Sequence, residues 1–248
     1  MADSDIFNRS ELLLGSDVTD TLSRTKVIIF GIGGVGSWCA EGLVRSGVGS
    51  VTLVDPDVIG ATNVNRQLMA TTSTIGRVKV EALRERLLDI NPDACVEAVR
   101  KAYCEDTAGE FDLDGYDYVI DSMDSLKDKI LLILTASRSS ATFFCSMGAA
   151  LKVDPTKVKV AEFWQVRGCP LGAAIRKKMK RAGTLPEKKF LCVYDDEVLP
   201  NRGDSSLQGV EDDPRKAQIN GSLVPVTSIF GMTIAGLVVK DVYKRTVR

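Results

Sequence analysis

The chain has 248 residues, with 32 basic against 33 acidic side chains, a formal charge of −1 and no histidine. That absence removes Ser-His-Asp and Cys-His nucleophile systems and zinc sites built on imidazole, so proton transfer must use carboxylates, lysine, cysteine, tyrosine, substrate or water. A hydrophobic share of 44% and a charged share of 26% exclude wholesale disorder. The even charge balance excludes general nucleic-acid stickiness but leaves room for a local basic patch.

In chain order, Lys26–Phe30 is a short β-branched run ending at Gly31 and reads as a buried strand. A helix follows over Val35–Ser46, and Val51–Val54 is a second strand closed by Asp55-Pro56-Asp57. Ile75–Ile90 is amphipathic and stops at Asn91-Pro92, so a helix is predicted over 75–90. Cys95–Val99, Tyr116–Ile120 and Thr142–Ser146 are predicted strands, with a helix over Leu126–Ser137 between the last two. This alternation implies an α/β fold, a Rossmann-like, mostly parallel sheet with helices on both faces. The chain is expected to form one domain, with 1–150 as a nucleotide-binding core and 151–248 as a substrate-side extension.

Past Gly148 the rhythm changes. Val158–Val166 reads as a longer strand, possible in antiparallel pairing, and Arg176–Lys189 carries seven cations, a local basic cluster. Asp195–Lys216 is polar, with Pro200, Gly203, Gly209 and Pro214, and reads as a mobile loop. Ala217–Val239 carries no charge, but its polar residues and Pro225 favour a buried or dimer-interface helix over a membrane span.

The chemistry concentrates in a few motifs. Gly31, Gly33, Gly34 and Gly36 lie between a predicted strand and helix, where glycines let a phosphate approach backbone N–H groups at a helix N-terminus. Asp55, nineteen residues past Gly36, ends the next strand and is placed to accept bonds from ribose hydroxyls. Together these indicate an adenine-nucleotide site. Arg66 and Lys79 suit the charges of a triphosphate, and Asp124 at the carboxyl edge of the sheet suits Mg2+. Each has a plainer reading: Arg66 and Lys79 as surface charges, Asp124 as a helix N-cap for the segment starting at Ser125. A hydride-transfer enzyme has no use for this set.

Seven motifs occur in order: Asn8-Arg9, GIGGVG at 31–36, DPD at 55–57, NVNRQ at 63–67, GRVKVE at 76–81, INP at 90–92 and DSMD at 121–124. As a set they resemble the ubiquitin-activating superfamily of adenylating enzymes that includes ThiF, MoeB and HesA. The likeness covers about the first 150 residues and extends more loosely to Val224-Pro225 and Phe230-Gly231.

The resemblance implies that Gly31, Gly33, Gly34, Gly36, Asp55, Asp57, Asn63 and Gln67 hold ATP. It gives Arg9, Arg66, Lys79 and Asp124 catalytic roles, with Asp124 the Mg2+ ligand and Arg9 acting across a homodimer. ATP and Mg2+ are the implied cofactors, a monovalent cation is left open, and no zinc is expected. The six cysteines (39, 95, 104, 145, 169 and 192) include no paired CxxC.

The missing zinc motif, Asp154-Pro155-Thr156 and the basic Leu171–Lys180 segment resemble the tRNA threonylcarbamoyladenosine dehydratases (TcdA, CsdL or YgdL) more closely. That branch implies ATP-dependent cyclisation of N6-threonylcarbamoyladenosine at tRNA position 37, through a carboxyl-adenylate. The alternative is activation of the C-terminus of a ubiquitin-like sulfur carrier, and a sulfur-transfer protein is a further implied partner. A nucleotide-binding interaction protein that has lost catalysis is a third reading, opposed by Arg66, Lys79 and Asp124. Ile219–Ser222 stands where some members of the branch have a cysteine before the last helix, so the sequence assigns no catalytic thiol. The N-terminus lacks the apolar core of a secretory signal, and a cytoplasmic setting with reduced thiols is expected.

Overall fold

The computed structural model describes residues 6–203 and 220–247. Strands β1 (Lys26–Phe30), β2 (Ser50–Val54), β3 (Cys95–Val99), β4 (Tyr118–Asp121), β5 (Thr142–Ser146), β6 (Lys159–Glu162) and β7 (Leu191–Tyr194) form one sheet in the order β3-β2-β1-β4-β5-β7-β6. Every pairing is parallel except β6 with β7. The chain leaves β1 toward β2 on one side and reaches β4 on the other. The carboxyl ends of β1 and β4 therefore flank the point where strand order reverses, the crevice in which open α/β sheets bind ligands.

Strand β1 explains why the sheet is covered on both sides. Val27 and Ile29 pack in one apolar cluster, Ile28 and Phe30 in the other, and all four are fully buried. Period-2 alternation in a strand without a polar face demands two covering layers. Helices α3 (Gly36–Arg45), α4 (Lys79–Ile90) and α7 (Val224–Thr246) contribute to the first cluster, and α5 (Leu126–Ala136) and α6 (Pro170–Ala182) to the second.

Helix α7 buries Val226, Phe230, Ile234, Val238 and Val242, a row at i+4 spacing, against α3. Two glycines set the closeness of that crossing. A Cβ on Gly231 would lie 2.4 Å from the Val35 carbonyl oxygen, and one on Gly42 would lie 2.9 Å from Ala235 Cβ.

Several boundaries differ from the sequence reading. The helix predicted from Ile75 starts at Lys79, because Gly76 is left-handed at φ 87° and Val78 forms a bridge with Val58. Strand β4 starts at Tyr118, two residues later than predicted, after a 3-10 turn over Leu113–Gly115. The strand expected over Val158–Val166 is cut to Lys159–Glu162, because the Glu162 carboxylate accepts from Trp164 N–H at 2.9 Å and starts a 3-10 turn.

Pro225 lies in the first turn of α7, where its missing N–H costs nothing, and the helix runs through charged residues to Thr246. The helix expected over Ala217–Val239 thus begins later and ends later. It is long and apolar enough to cross a membrane, yet 44% of its most apolar window is buried in the protein. No element was expected for β7, nor for α1 (Asn8–Leu14) and α2 (Ser16–Arg24). The polar segment read as a mobile loop lies, from 204 on, outside the described residues.

Candidate active site

The glycine loop leaves β1 through Gly31, whose N–H donates to the Val54 carbonyl at 2.9 Å and whose φ is 87°. A Cβ there would meet the Ser122 carbonyl at 2.9 Å, and one on Gly36 would sit 2.0 Å from the Gly31 carbonyl oxygen. Only glycine fits either position. The loop closes onto the end of β4, and α3 begins at Gly36. Gly33 is more open, the nearest atom to its would-be Cβ being Gln67 Nε2 at 3.9 Å, while a Cβ on Gly34 would lie 3.2 Å from Arg66 Cγ.

Asp55 ties the end of β2 to this loop. Its Oδ2 accepts from Ile32 N–H at 2.7 Å and its Oδ1 from Asp57 N–H at 3.0 Å. Burial pushes its carboxyl up, opposed by Lys79 and by those two backbone donors. Lys79 is buried, 2.8 Å from Asp57 and 3.9 Å from Asp55. It is therefore a cation held between two carboxylates at the N-terminus of α4, not a surface charge.

Arg66 is half-buried and donates to Thr62 O at 2.8 Å and to Asn65 Oδ1 at 2.9 Å, which aims its guanidinium. The Asn63 side chain accepts from Gly60 N–H at 3.0 Å and shapes the turn that carries Arg66. Gln67 is buried, and its Oε1 has no hydrogen-bond partner. An unsatisfied buried carbonyl costs about 1–3 kcal/mol, a cost that a ligand donor removes. Ser122 Oγ, beside Gly36, is orphaned in the same way.

Asp124 is exposed just past the carboxyl end of β4. The N-cap of α5 is Ser125, whose side chain accepts from Asp128 N–H, so Asp124 is not engaged as the cap. Among the described residues no group of three or more acidic, cysteine or histidine side chains surrounds a common point. One carboxylate suits a Mg2+ that arrives on nucleotide phosphates and keeps most of its water.

The structure thus brings Gly31, Gly33, Gly34, Gly36, Asp55, Asp57, Asn63, Arg66, Gln67 and Lys79 around one loop, with Asp124 following the neighbouring strand. Arg9 stands apart on α1, exposed, on a helix with no buried residue.

Sequence reasoning missed a buried cluster beneath this edge. Lys129 Nζ lies 2.8 Å from Asp121 Oδ1, both side chains fully buried. Cys145 Sγ approaches Asp121 Oδ2 at 3.4 Å, and Met123 N–H donates to Asp121 Oδ1 at 3.0 Å. Burial works against the Lys129 ammonium, but Asp121 more than restores it, so it stays charged. The pair fixes the Ser122–Met123 backbone that closes over Gly31. The available signal was Lys129 sharing a helix face with Leu132, Ile133 and Ala136.

Four of the six cysteines, Cys39, Cys145, Cys169 and Cys192, are buried. Burial pushes the Cys39 and Cys145 thiols up. Cys192 is buried, and Cys169 caps α6, its Sγ accepting from Gly172 N–H at 3.4 Å.

The ThiF family model matches residues 7–247. A Bacillus subtilis tRNA threonylcarbamoyladenosine dehydratase is 37% identical over 244 residues, covering 96% of this chain and 94% of that protein. The crystal structure of Escherichia coli tRNA N6-threonylcarbamoyladenosine dehydratase, TcdA, in complex with ATP superposes with a TM-score of 0.84 at 30% identity, covering 98% of this chain and 95% of that one. A Salmonella typhimurium molybdopterin-synthase adenylyltransferase is 31% identical over only 150 residues, 60% of this chain. With a family model spanning nearly its whole length, the chain belongs to the ThiF family.

Proposed function

We propose that this protein is an ATP-dependent tRNA threonylcarbamoyladenosine dehydratase. The observation that carries the reading is near-full-length likeness to dehydratases, one of them solved with ATP, joined to the loop built by Gly31, Gly36, Asp55 and Lys79. Likeness to the sulfur-carrier adenylyltransferases stops at 60% of the chain.

In the proposed reaction the threonyl carboxylate attacks the α-phosphorus of ATP, pyrophosphate leaves, and an acyl-adenylate remains. The ureido group of the same nucleoside then attacks the acyl carbon and expels AMP, with net loss of water. Arg66 and Lys79 are cations fixed before the negative charge develops, so little reorganisation is needed as it forms. Lys79 exchanges its Asp57 contact for phosphate, and the orphaned Gln67 and Ser122 atoms face the same loop. Asp124 would hold Mg2+, which neutralises phosphate charge when bound. Because nucleophile and electrophile sit on one molecule, effective molarity replaces an enzymic nucleophile. The absence of histidine and the burial of Cys39, Cys145, Cys169 and Cys192 agree with that chemistry.

A homodimer with Arg9 acting across subunits completes the site. Its support is the exposed apolar surface of Ile6, Leu12 and Leu13 beside Arg9, and of Ile229 and Met232 on the outer face of α7. Six free thiols suit a reducing cytoplasm, and a sulfur-transfer protein is the further partner of this reading.

The direct test is to incubate the protein with Mg-ATP and tRNA carrying N6-threonylcarbamoyladenosine, digest the RNA and weigh the nucleosides. A product lighter by one water, formed only with ATP, is expected. Unchanged tRNA together with carrier-dependent pyrophosphate exchange would move the assignment to carrier activation. Mixing Arg9→Ala with Asp124→Ala protein should recover part of the activity that each has lost.

A further inference from the structure

The basic segment singled out in the sequence continues, in the structure, into a part of the chain far from it. Helix α6 starts beside the carboxyl end of β5, where a Cβ on Gly172 would touch Met147 Sδ at 3.3 Å. It runs toward the opposite edge of the sheet and stops at Gly183, and the chain re-enters the sheet at Leu191. Thirteen helical residues cover about 20 Å at 1.5 Å each. Ile175 and Met179 face inward, so Lys177, Lys178 and Arg181 lie exposed along the outer side.

At the far edge lies a hollow of about 430 Å³ at the amino ends of β5 and β7. Lys188 and Lys189 line one wall, Lys240 and Lys244 of α7 the other, over a floor that includes Phe143 and Leu237. Among the described residues, Lys177, Lys178, Arg181, Lys189, Lys240 and Lys244 form no ion pair. The neighbouring carboxylates are already engaged: Asp241 by Arg245 at 2.7 Å, Glu187 by Arg138 at 2.8 Å, and Asp114 by Ser140 N–H at 2.6 Å.

Like charges converging from two distant chain segments repel one another unless an anion lies between them. A single phosphate could satisfy the hollow alone. The cations of α6, continuous with it and reaching back to the nucleotide edge, call for a chain of phosphates.

We infer that α6, the 183–190 connection and the last turns of α7 form a track for the phosphate backbone of the substrate tRNA, running from the active-site edge to this hollow. The inference rests on the dehydratase reading for its choice of polyanion. Contacts of this kind position RNA without reading its sequence.

The test is tRNA binding across a salt series for the wild type and for Lys188→Ala/Lys189→Ala/Lys240→Ala/Lys244→Ala. Each lost phosphate contact should flatten the slope of log Kobs against log salt by about 0.7–0.9. A fall of about 2–3 in slope and at least about tenfold in affinity is expected, alike for tRNA with and without the threonylcarbamoyl group. Melting temperature and ATP binding should hold. Arg77→Ala/Lys101→Ala, which removes two cations paired elsewhere with Glu85 and Glu110, serves as control and should change little. An unchanged slope in the fourfold variant, or equal loss in the control, overturns the track. So does uptake of inorganic phosphate at these lysines with tRNA affinity intact, which would make the hollow a small-anion site. Wild-type protein that dehydrates tRNA while the fourfold variant binds normally leaves the function standing and removes only the track. Wild-type protein that binds no tRNA removes both.

Discussion

The two edges of the sheet treat charge in opposite ways. At the carboxyl edge, Lys79 and Lys129 are buried and each is matched by carboxylates, Asp57 and Asp55 in one case and Asp121 in the other. At the amino edge, Lys189, Lys240 and Lys244 are exposed and have no partner among the described residues. Buried pairs keep their geometry whether or not a substrate is present, which is what a site for a developing charge needs. Exposed like charges hold little geometry of their own and act over distance, which suits docking a large polyanion.

If that contrast is right, the largest effect should come from breaking the deepest pair. Lys129→Met should destabilise the fold by about 3–5 kcal/mol, because it leaves Asp121 buried without a counter-charge. Denaturant unfolding measures it, and Asp121→Leu/Lys129→Met should recover much of the loss. A cost under about 1 kcal/mol would mean that the pair does not organise this edge.

Next in size, Lys79→Ala should lower kcat for dehydration by about 10²–10³. Turnover near wild type would remove Lys79 from the phosphate role and leave it as a link between β2 and α4.

The smallest effect concerns Glu197, which joins the segment after β7 to Val153 N–H, Asp154 N–H and Lys157. Those contacts, Lys157 foremost, lower its pKa to about 2. A carboxylate lowered in the fold adds stability above its ordinary pKa of about 4.3 and loses it as pH falls toward 2. Carboxyl NMR should show a midpoint near 2, and Glu197→Gln should flatten acid unfolding between about pH 4.5 and 2. A midpoint near 4 would break the assignment.

The sequence made the carboxyl edge far more legible than the amino edge. The glycine loop, β1, β2 and Asp55 are local patterns whose physics is contained in about thirty residues. What escaped depends on tertiary structure. Lys129 meets Asp121 only because α5 folds back on β4, and the seven intervening residues give no hint of pairing. Strand β7 is four residues long and follows Lys188-Lys189, so its apolar signal is short and flanked by charge. Lys240 and Lys244 join the basic segment only through the sheet, more than fifty residues later in the chain. The uncharged run reaches back to Ala217 and so places the start of α7 too early, whereas the helix begins at Val224 with Pro225 in its first turn.

The close crossing of α3 and α7, set by Gly42 against Ala235 and Gly231 against Val35, also bears on how the apolar face of α7 stays covered. Helix α7 carries enough apolar surface for a lipid environment, and what keeps it seated is the close approach at Gly42 and Gly231. A bulky side chain at either position would lever the helix outward and expose the Phe230, Ile234 and Val238 row, a contiguous apolar surface of the kind that drives aggregation. These two glycines, remote from any chemistry, therefore guard solubility, and a fault there should show first as loss of soluble protein and only later as loss of turnover.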